Sequence, residues 1–393
     1  MWRKEGVPLT RNVPGLIARS DVEFVVVFNP ETPDRTAAIE GRGPSPLPWL
    51  SESARLLQQM GASHLAYPCN TAHYFIHRAT AAELPLAVPL VDMIGETVRA
   101  VTGAGRRHVG LLATTGTVRT GLYQDALAAK GLDVVLPERR VPGAASHEID
   151  ANGRVLAEVY DRFGVRAGEP LAAPQLGALL DHLIALLGEQ DGLVMETILG
   201  AHGVKAGFTA GVARQLAERA ARRLVERGAE AIVLGCTELP LVLTAREARF
   251  AGRAAALVDP TRLVADRLRG MAGSHGIAGG LGPEATIDIL EKMDAPADFT
   301  GLQRDILRAT VEQLGARRDQ DHLKMFAIAT RDPLDAAKRL AAAGAGFLVL
   351  SDSAASAASR VSAASGLLAL AGRAGHRLGP DVVRHATSSP AHT

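Results

Sequence analysis

The ten residues His64-Leu65-Ala66-Tyr67-Pro68-Cys69-Asn70-Thr71-Ala72-His73 begin as a short apolar run and end as a polar turn that carries a cysteine. A second stretch, Ala231-Ile232-Val233-Leu234-Gly235-Cys236-Thr237-Glu238, has the same organisation, and the chain contains 2 cysteines in all. Short continuous apolar runs are typical of strands in a parallel sheet that is covered on both faces. The sequence therefore predicts two buried strands, each of which leads into a turn with a thiol.

Further apolar runs alternate with helical patterns along most of the chain. Such an alternation of strands and helices predicts an α/β fold built on parallel sheets. Before residue 275 the additional predicted strands cover residues 22–28, 87–91, 109–113 and 132–136. After residue 275 they cover 276–278, 324–329 and 347–350, and long helices are predicted over 48–60, 175–187 and 209–227.

Composition excludes several classes of protein. Lys and Arg number 43 against 42 Asp and Glu, so no basic surface for nucleic acid is expected. Aromatic residues make up only 4%, which also argues against surfaces that stack bases. No apolar run approaches the roughly 20 residues that span a bilayer, and the first residues do not resemble a signal peptide. We expect a cytoplasmic protein with free thiols, without nucleic-acid or membrane partners.

The two cysteines are candidates for acid–base catalysis. The carboxyl ends of parallel strands are where α/β folds place their sites, and both Cys69 and Cys236 follow such strands. A single buried cysteine is most often just a small apolar residue. Two in equivalent polar turns favour a pair in which one thiolate removes a proton and one thiol returns it. We found no spacing typical of a metal site or a dinucleotide-binding loop, so no metal or cofactor is predicted.

Polar residues near these turns offer donors for a carboxylate. They are Asn70, Thr71, Thr114, Thr115, Thr117 and Thr237. The segment Thr114–Thr117 lies between a strand and a helix, where it would form either an anion-binding turn or an ordinary helix cap. Arg35 could bind a side-chain carboxylate through two hydrogen bonds, although an arginine in a loop is usually solvated.

Several motifs together resemble the aspartate/glutamate racemase family, on its aspartate racemase branch. The resemblance covers roughly residues 22–270. It is carried by Pro68-Cys69-Asn70-Thr71-Ala72-His73, Leu234-Gly235-Cys236-Thr237-Glu238-Leu239-Pro240 and Pro33-Asp34-Arg35-Thr36-Ala37-Ala38-Ile39, with support from Ala113-Thr114-Thr115-Gly116-Thr117 and Val204-Lys205-Ala206-Gly207. It implies two pseudo-symmetric, Rossmann-like parallel-sheet lobes, often in homodimers, with the site between the lobes.

The resemblance also implies a chemistry. Cys69 and Cys236 would be the acid–base pair of a cofactor-independent racemase that inverts a small acidic amino acid. The α-carboxylate and amine would be held by Asn70, Thr71, Thr115 and Thr237. Arg35 and Lys205 would bind the distal carboxylate.

The chain departs from the family pattern at its two ends. Members usually open with a strand and a Gly-Gly-Met-Gly-Pro turn, followed later by Asp-Gln-Asp-His. Here the corresponding residues are Gly279–Pro283 and Asp319–His322. The segment Gln58–Cys69 also has an echo in Ala341–Asp352, where an aspartate replaces the cysteine. We predict a first lobe over 1–103, to which 252–272 return, a second lobe over 104–251, a partial third α/β unit that repeats the first lobe over 275–372, and a disordered tail over 373–393.

Two hypotheses explain the third unit, and two alternatives to racemisation stay open. The unit either supplies the missing strand and loop to the first lobe or is a decayed second copy. The protein could instead be a non-catalytic ligand-binding relative, which the missing opening strand would favour. It could also be a cysteine-dependent decarboxylase or cis–trans isomerase of a small dicarboxylic acid, although such decarboxylases keep only one of the two cysteines.

Overall fold

The computed structural model describes residues 24–29, 32–59, 61–137, 148, 155–166, 168–187, 191–273, 275–279, 283–293, 325–329 and 347–351. The strands are β1 (Phe24–Phe28), β2 (His64–Ala66), β3 (His108–Ala113), β4 (Asp133–Val135), β5 (Ala231–Gly235), β6 (Glu247–Phe250), β7 (Arg253–Val258), β8 (His275–Gly279), β9 (Met325–Ala329) and β10 (Phe347–Ser351). The predicted tail over 373–393, the Asp319–His322 motif and most of the Gly279–Pro283 turn lie outside the described residues.

Helices connect most of these strands. They are α1 (Arg35–Ile39), α2 (Leu47–Gln59), α3 (Ala72–Ile76), α4 (Met93–Gly103), α5 (Thr115–Arg119), α6 (Leu122–Ala128), α7 (Ala157–Arg162), α8 (Ala173–Leu187), α9 (Asp191–Leu199), α10 (Val212–Glu226), α11 (Leu239–Val242), α12 (Pro260–Arg269) and α13 (Pro283–Lys292). A short 3-10 helix covers Val204–Ala206. None of the helices in the described part of the chain is long and apolar enough to cross a membrane.

Two five-stranded sheets organise the chain, and they confirm the predicted α/β fold. The first has the order β10-β9-β1-β8-β2 and the second the order β4-β3-β5-β7-β6. Within the first sheet β1, β8 and β2 run parallel, and in the second β4, β3, β5 and β7 do. The buried strand β5 is apolar throughout, as expected for a strand covered on both faces.

The strand β8 lies between β1 and β2, although it follows β2 by more than two hundred residues. Ile277 pairs with Val26 on one side and with Ala66 on the other. All of β8 is buried, and the helix α2 packs against it. The C-terminal strands thus belong to the first sheet, with β9 antiparallel to β1 and β10 parallel to β9. For β8 this is the arrangement expected if the third unit supplies the missing strand to the first lobe, which we call the complementation hypothesis.

Two local expectations differ from the structure. The predicted strand over 87–91 is a single bridge between Leu65 and Leu90, because Pro89 has no N–H to extend the ladder. The antiparallel hairpin of β6 and β7 was not predicted, since its first strand, Glu247–Phe250, alternates charged residues with Ala and Phe and carries only a weak apolar signal. Its turn holds Ala251 at a φ of 49° and Gly252 at 79°.

The two sheets are joined where α1 meets α5. Arg119 forms an ion pair with Glu40 across this contact. Gly116 in α5 lies directly against α1, and a Cβ placed on it would be 2.6 Å from the Thr36 Oγ1 atom and 3.2 Å from its Cα. The close approach of these helices therefore depends on the absence of a side chain at residue 116.

We expect Gly116→Val to separate the two helices and to lower the free energy of unfolding by about 1–3 kcal/mol, as overpacking typically does. Urea unfolding followed by circular dichroism measures the change. Gly103→Ala is the control, because a Cβ there meets no atom within 4 Å and alanine favours a helix. Equal midpoints for the two variants would contradict the close contact at Gly116.

Candidate active site

Cys69 lies just beyond the end of β2 and just before α3. Its side chain belongs to the apolar cluster that α2 forms with the first sheet, and the residue is 9% exposed. Its N–H donates to the carbonyl of Tyr67 at 2.7 Å, and the Tyr67 hydroxyl donates to the Leu50 carbonyl at 2.7 Å. The turn that presents the thiol is therefore fixed to α2.

The side chain of His73 also supports this turn. Its Nδ1 atom is 2.9 Å from the Cys69 carbonyl oxygen, and its Nε2 atom accepts from the N–H of Met93 at 3.3 Å. Because Nε2 accepts, the proton of a neutral ring is on Nδ1, which donates to Cys69. Burial lowers the pKa of His73, so the neutral ring is favoured. His73 therefore contacts the backbone of Cys69, and it does so from the second residue of α3.

Asn70 joins the two sheets through Tyr123, the residue in α6 whose hydroxyl donates to Asn70 Oδ1. Both residues are buried, at 2% and 0% exposure. The Asn70 Nδ2 atom is also buried and has no hydrogen-bond partner in the described part of the chain. Sequence reasoning missed Tyr123, because nothing in the local pattern distinguishes it from a core tyrosine.

A cluster of threonines forms a second bridge between the sheets. Thr71 Oγ1 is 2.8 Å from Thr117 Oγ1 and 3.4 Å from Thr114 Oγ1. Thr114 is the N-cap of α5, and its hydroxyl accepts from the N–H of Thr117. The N–H of Thr115 points to the Met195 sulfur at 3.3 Å. The structure thus places Thr71, two residues after Cys69, against Thr117, and Thr115 is the first residue of the same helix, α5.

Cys236 follows β5 and is 8% exposed. Its Sγ atom donates to Glu238 Oε2 at 2.9 Å, and the Thr237 hydroxyl donates to the same oxygen at 3.1 Å. The Lys205 ammonium, in the short 3-10 helix, is 3.8 Å from Glu238 Oε1. Burial, followed by the Glu238 carboxylate, raises the pKa of Cys236 well above its usual value. This residue is a thiol at neutral pH.

The predicted site residues form two groups. In the first, Asn70 and Thr71 directly follow Cys69, and they bond to Tyr123 and to Thr117 respectively. In the second, Cys236, Thr237 and Lys205 are connected through Glu238. Burial raises the pKa of the Tyr123 hydroxyl, so this group stays protonated as the donor to Asn70. The sequence could have indicated Glu238, since it lies two residues after Cys236.

Arg35 is the first residue of α1 and is 9% exposed, unlike an ordinary loop arginine. Its guanidinium donates to the carbonyl oxygens of Pro33 at 3.0 Å and of Thr32 at 3.4 Å.

Two surface grooves of about 270 and 360 Å³ lie along α10, and none of the predicted site residues lines either of them. Within the described residues, no group of three or more His, Cys, Asp or Glu side chains could hold a metal ion.

The profile of the Asp/Glu/hydantoin racemase family matches residues 8–180 and 173–268 of the chain. The chain belongs to this family. The match includes both cysteine turns and the α1 segment with Arg35, so the resemblance found in the sequence is confirmed.

Curated relatives of the chain include racemases. A broad-specificity amino-acid racemase, RacX, of Bacillus subtilis is 30% identical over 84 residues, which are 21% of this chain and 35% of that protein. A glutamate racemase of Latilactobacillus sakei is 32% identical over 109 residues, 26% of this chain and 37% of that protein. The aligned part of the chain thus spans only about a third of the length of either racemase.

Among solved structures, the aspartate racemase of Picrophilus torridus aligns with 61% of this chain and 76% of its own, at 18% identity and a TM-score of 0.37. The glutamate racemase isoform RacE1 of Bacillus anthracis aligns with 69% of this chain and 83% of its own, at 16% identity and a TM-score of 0.37.

We expect Glu238→Gln to lower the pKa of Cys236, because it removes the negative charge that disfavours the thiolate. Cys69→Ser provides the background for this measurement, since it leaves Cys236 as the one cysteine of the chain. The rate of iodoacetamide alkylation against pH then reports the thiolate, and Glu238→Gln should move the curve to lower pH. Lys205→Met removes a positive charge and should move it to higher pH. A shift in the same direction for both variants would contradict this electrostatic account.

Proposed function

We infer that this protein racemises a small acidic amino acid, aspartate or glutamate, with Cys69 and Cys236 as the two bases and without a cofactor such as pyridoxal phosphate. The observation that carries this is the position of the two thiols at the carboxyl ends of β2 and β5, within the Asp/Glu/hydantoin racemase family. Both cysteines are free, which fits a cytoplasmic enzyme. A homodimer is the assembly that the family resemblance favours.

In the proposed mechanism, one cysteine takes the α-proton as the other delivers a proton to the opposite face. The Cα–H bond breaks as an S–H bond forms on the thiolate, and the S–H bond of the second cysteine breaks as the new Cα–H bond forms. Burial and the Glu238 carboxylate raise the pKa of Cys236, which favours its proton-bearing form and so the return of a proton from this side. In the reverse direction the two cysteines exchange roles.

The neighbouring groups have roles in holding the substrate. Donors at Asn70, Thr71, Thr115 and Thr237 bind the α-carboxylate and amine, and so stabilise the charge that develops when the α-proton leaves. Arg35 and Lys205 supply positive charge for the distal carboxylate. The Glu238 carboxylate, which contacts both Cys236 and Lys205, keeps the thiol protonated between turnovers.

Exchange of the α-proton in D₂O tests the proposal. The wild-type protein should incorporate deuterium at Cα of aspartate or glutamate and should form the opposite enantiomer, which NMR and chiral chromatography measure. A panel of acidic and neutral amino acids in both configurations determines the substrate. Binding of an acidic amino acid without any exchange would support the non-catalytic alternative, and release of carbon dioxide would support the decarboxylase.

A further inference from the structure

Asn29 directly follows β1, at the same edge of the first sheet as Cys69. The residue is 1% exposed, and its N–H continues the pairing with β8 by donating to the carbonyl of Gly279 at 3.4 Å. Its own carbonyl accepts from the N–H of Thr32 at 3.3 Å and from the Thr32 hydroxyl at 2.8 Å. The backbone of Asn29 is therefore fixed on both sides.

The side chain of Asn29 continues the face of β1 that carries Val27, because successive side chains of a strand alternate between faces. Val27 belongs to the same apolar cluster as Tyr67, Cys69 and Ala278. Asn29 is therefore the polar end of the sheet face on which Cys69 also lies. Since β8 separates β1 from β2, the two strands are roughly 10 Å apart. The Asn29 side chain, one hydrogen bond and the carbon skeleton of a dicarboxylic acid together cover such a gap.

The Nδ2 atom of Asn29 is buried and has no hydrogen-bond partner in the described part of the chain. Burying an amide without a partner is costly, and most such groups in proteins are satisfied. The Nδ2 atom of Asn70 is in the same condition, at the same edge of the sheet. Two unpaired amide donors at one edge of a sheet are suited to binding an anion.

We propose that Asn29 binds the substrate, with its Nδ2 donating a hydrogen bond to a carboxylate oxygen of the amino acid. The proposal rests on the proposed function for the identity of the ligand. It adds a residue that lies outside the cysteine and threonine turns and that is held in place by β8. Asn29 is thus the point at which the C-terminal strand affects substrate binding directly.

The variants Asn29→Leu and Asn29→Asp test this role in the full-length protein. Leucine keeps the approximate shape without the donor, and aspartate adds a charge that repels a carboxylate. A hydrogen bond to a charged group typically corresponds to a change in affinity of about 10- to 100-fold, so the KM for the exchanged amino acid should rise by that factor. The dissociation constant for succinate, measured by calorimetry, should rise likewise. The thermal midpoint of Asn29→Leu should stay equal or increase, since the variant removes an unpaired buried amide.

The control is Ser53→Ala. Ser53 is a buried polar residue of α2, the helix that packs on the same face of the sheet. Its replacement should leave KM and succinate binding unchanged. Unchanged KM and succinate affinity in both Asn29 variants of an exchanging enzyme would overturn the role of Asn29. If the wild-type protein binds succinate but exchanges no α-proton, the racemase proposal fails. Weaker succinate binding by Asn29→Leu would then still support the role of Asn29 in binding a carboxylate. Absence of both binding and exchange in the wild-type protein overturns both.

Discussion

Replacement of either cysteine by serine, Cys69→Ser or Cys236→Ser, is expected to reduce the rate of racemisation by at least about 10²- to 10⁴-fold, the usual contribution of a positioned acid or base. A serine hydroxyl has a far higher pKa than a thiol, so it neither accepts the α-proton nor returns one at neutral pH. Each variant loses conversion in both directions, because every turnover of a two-base mechanism uses both groups.

The two serine variants also separate the roles of the cysteines. In each variant the remaining thiol still faces one side of the α-carbon, so slow deuterium exchange without inversion is expected from one enantiomer only. The preferred enantiomer should differ between Cys69→Ser and Cys236→Ser. Circular dichroism and the thermal midpoint show whether the variants fold. Full racemisation by a folded serine variant would rule out the cysteine pair, whichever substrate is used.

Disruption of β8 is expected to unfold the first sheet. Ile277 is 0% exposed and pairs with β1 and β2 at once, so Ile277→Asp buries a charge without a partner at the centre of the sheet. We expect a loss in the free energy of unfolding of more than about 4 kcal/mol, at the extreme of single substitutions. The matched control, Ile277→Val, should cost only about 0.5–1.5 kcal/mol.

Thiol reactivity shows which part of the protein opens. In Ile277→Asp the buried Cys69 should react rapidly with a thiol reagent, and Cys236, which follows a strand of the second sheet, should remain slower. Deletion of residues 275–393 should have the same effect, and deletion of 373–393 should have none. If folding and exchange survive the longer deletion unchanged, the C-terminal strand is dispensable and the complementation hypothesis is wrong.

Much of the fold follows from local patterns. Apolar runs predicted β3, β5 and β8 to within one residue at each end, because a buried strand needs continuous apolar side chains whatever its neighbours are. The hairpin of β6 and β7 was not predicted, because exposed residues interrupt its apolar pattern: Glu247, Arg249, Arg253 and Ala254. The position of β8 between β1 and β2 was one of two open hypotheses, since an apolar strand does not encode which strands it pairs with.

Only part of the candidate site could likewise be predicted from local sequence patterns. Cys69 and Cys236 were found because each thiol follows its strand directly in the sequence. Tyr123 and Asn29 were not, because their importance comes from contacts with residues about 50 positions away or from an unpaired buried atom. The roles of Cys69, Cys236 and the predicted substrate-binding residues toward a substrate stay predictions.

The sequence by itself determined the two strand-and-thiol turns, the α/β class and the family, since these depend on short-range order of apolar and polar residues. Only the tertiary structure decided that a strand from the C-terminal part enters the first sheet beside β2, and that the Cys236 thiol donates a hydrogen bond to Glu238. Both depend on contacts in space: a β-ladder between distant segments, and a carboxylate buried against a thiol where water no longer screens their interaction.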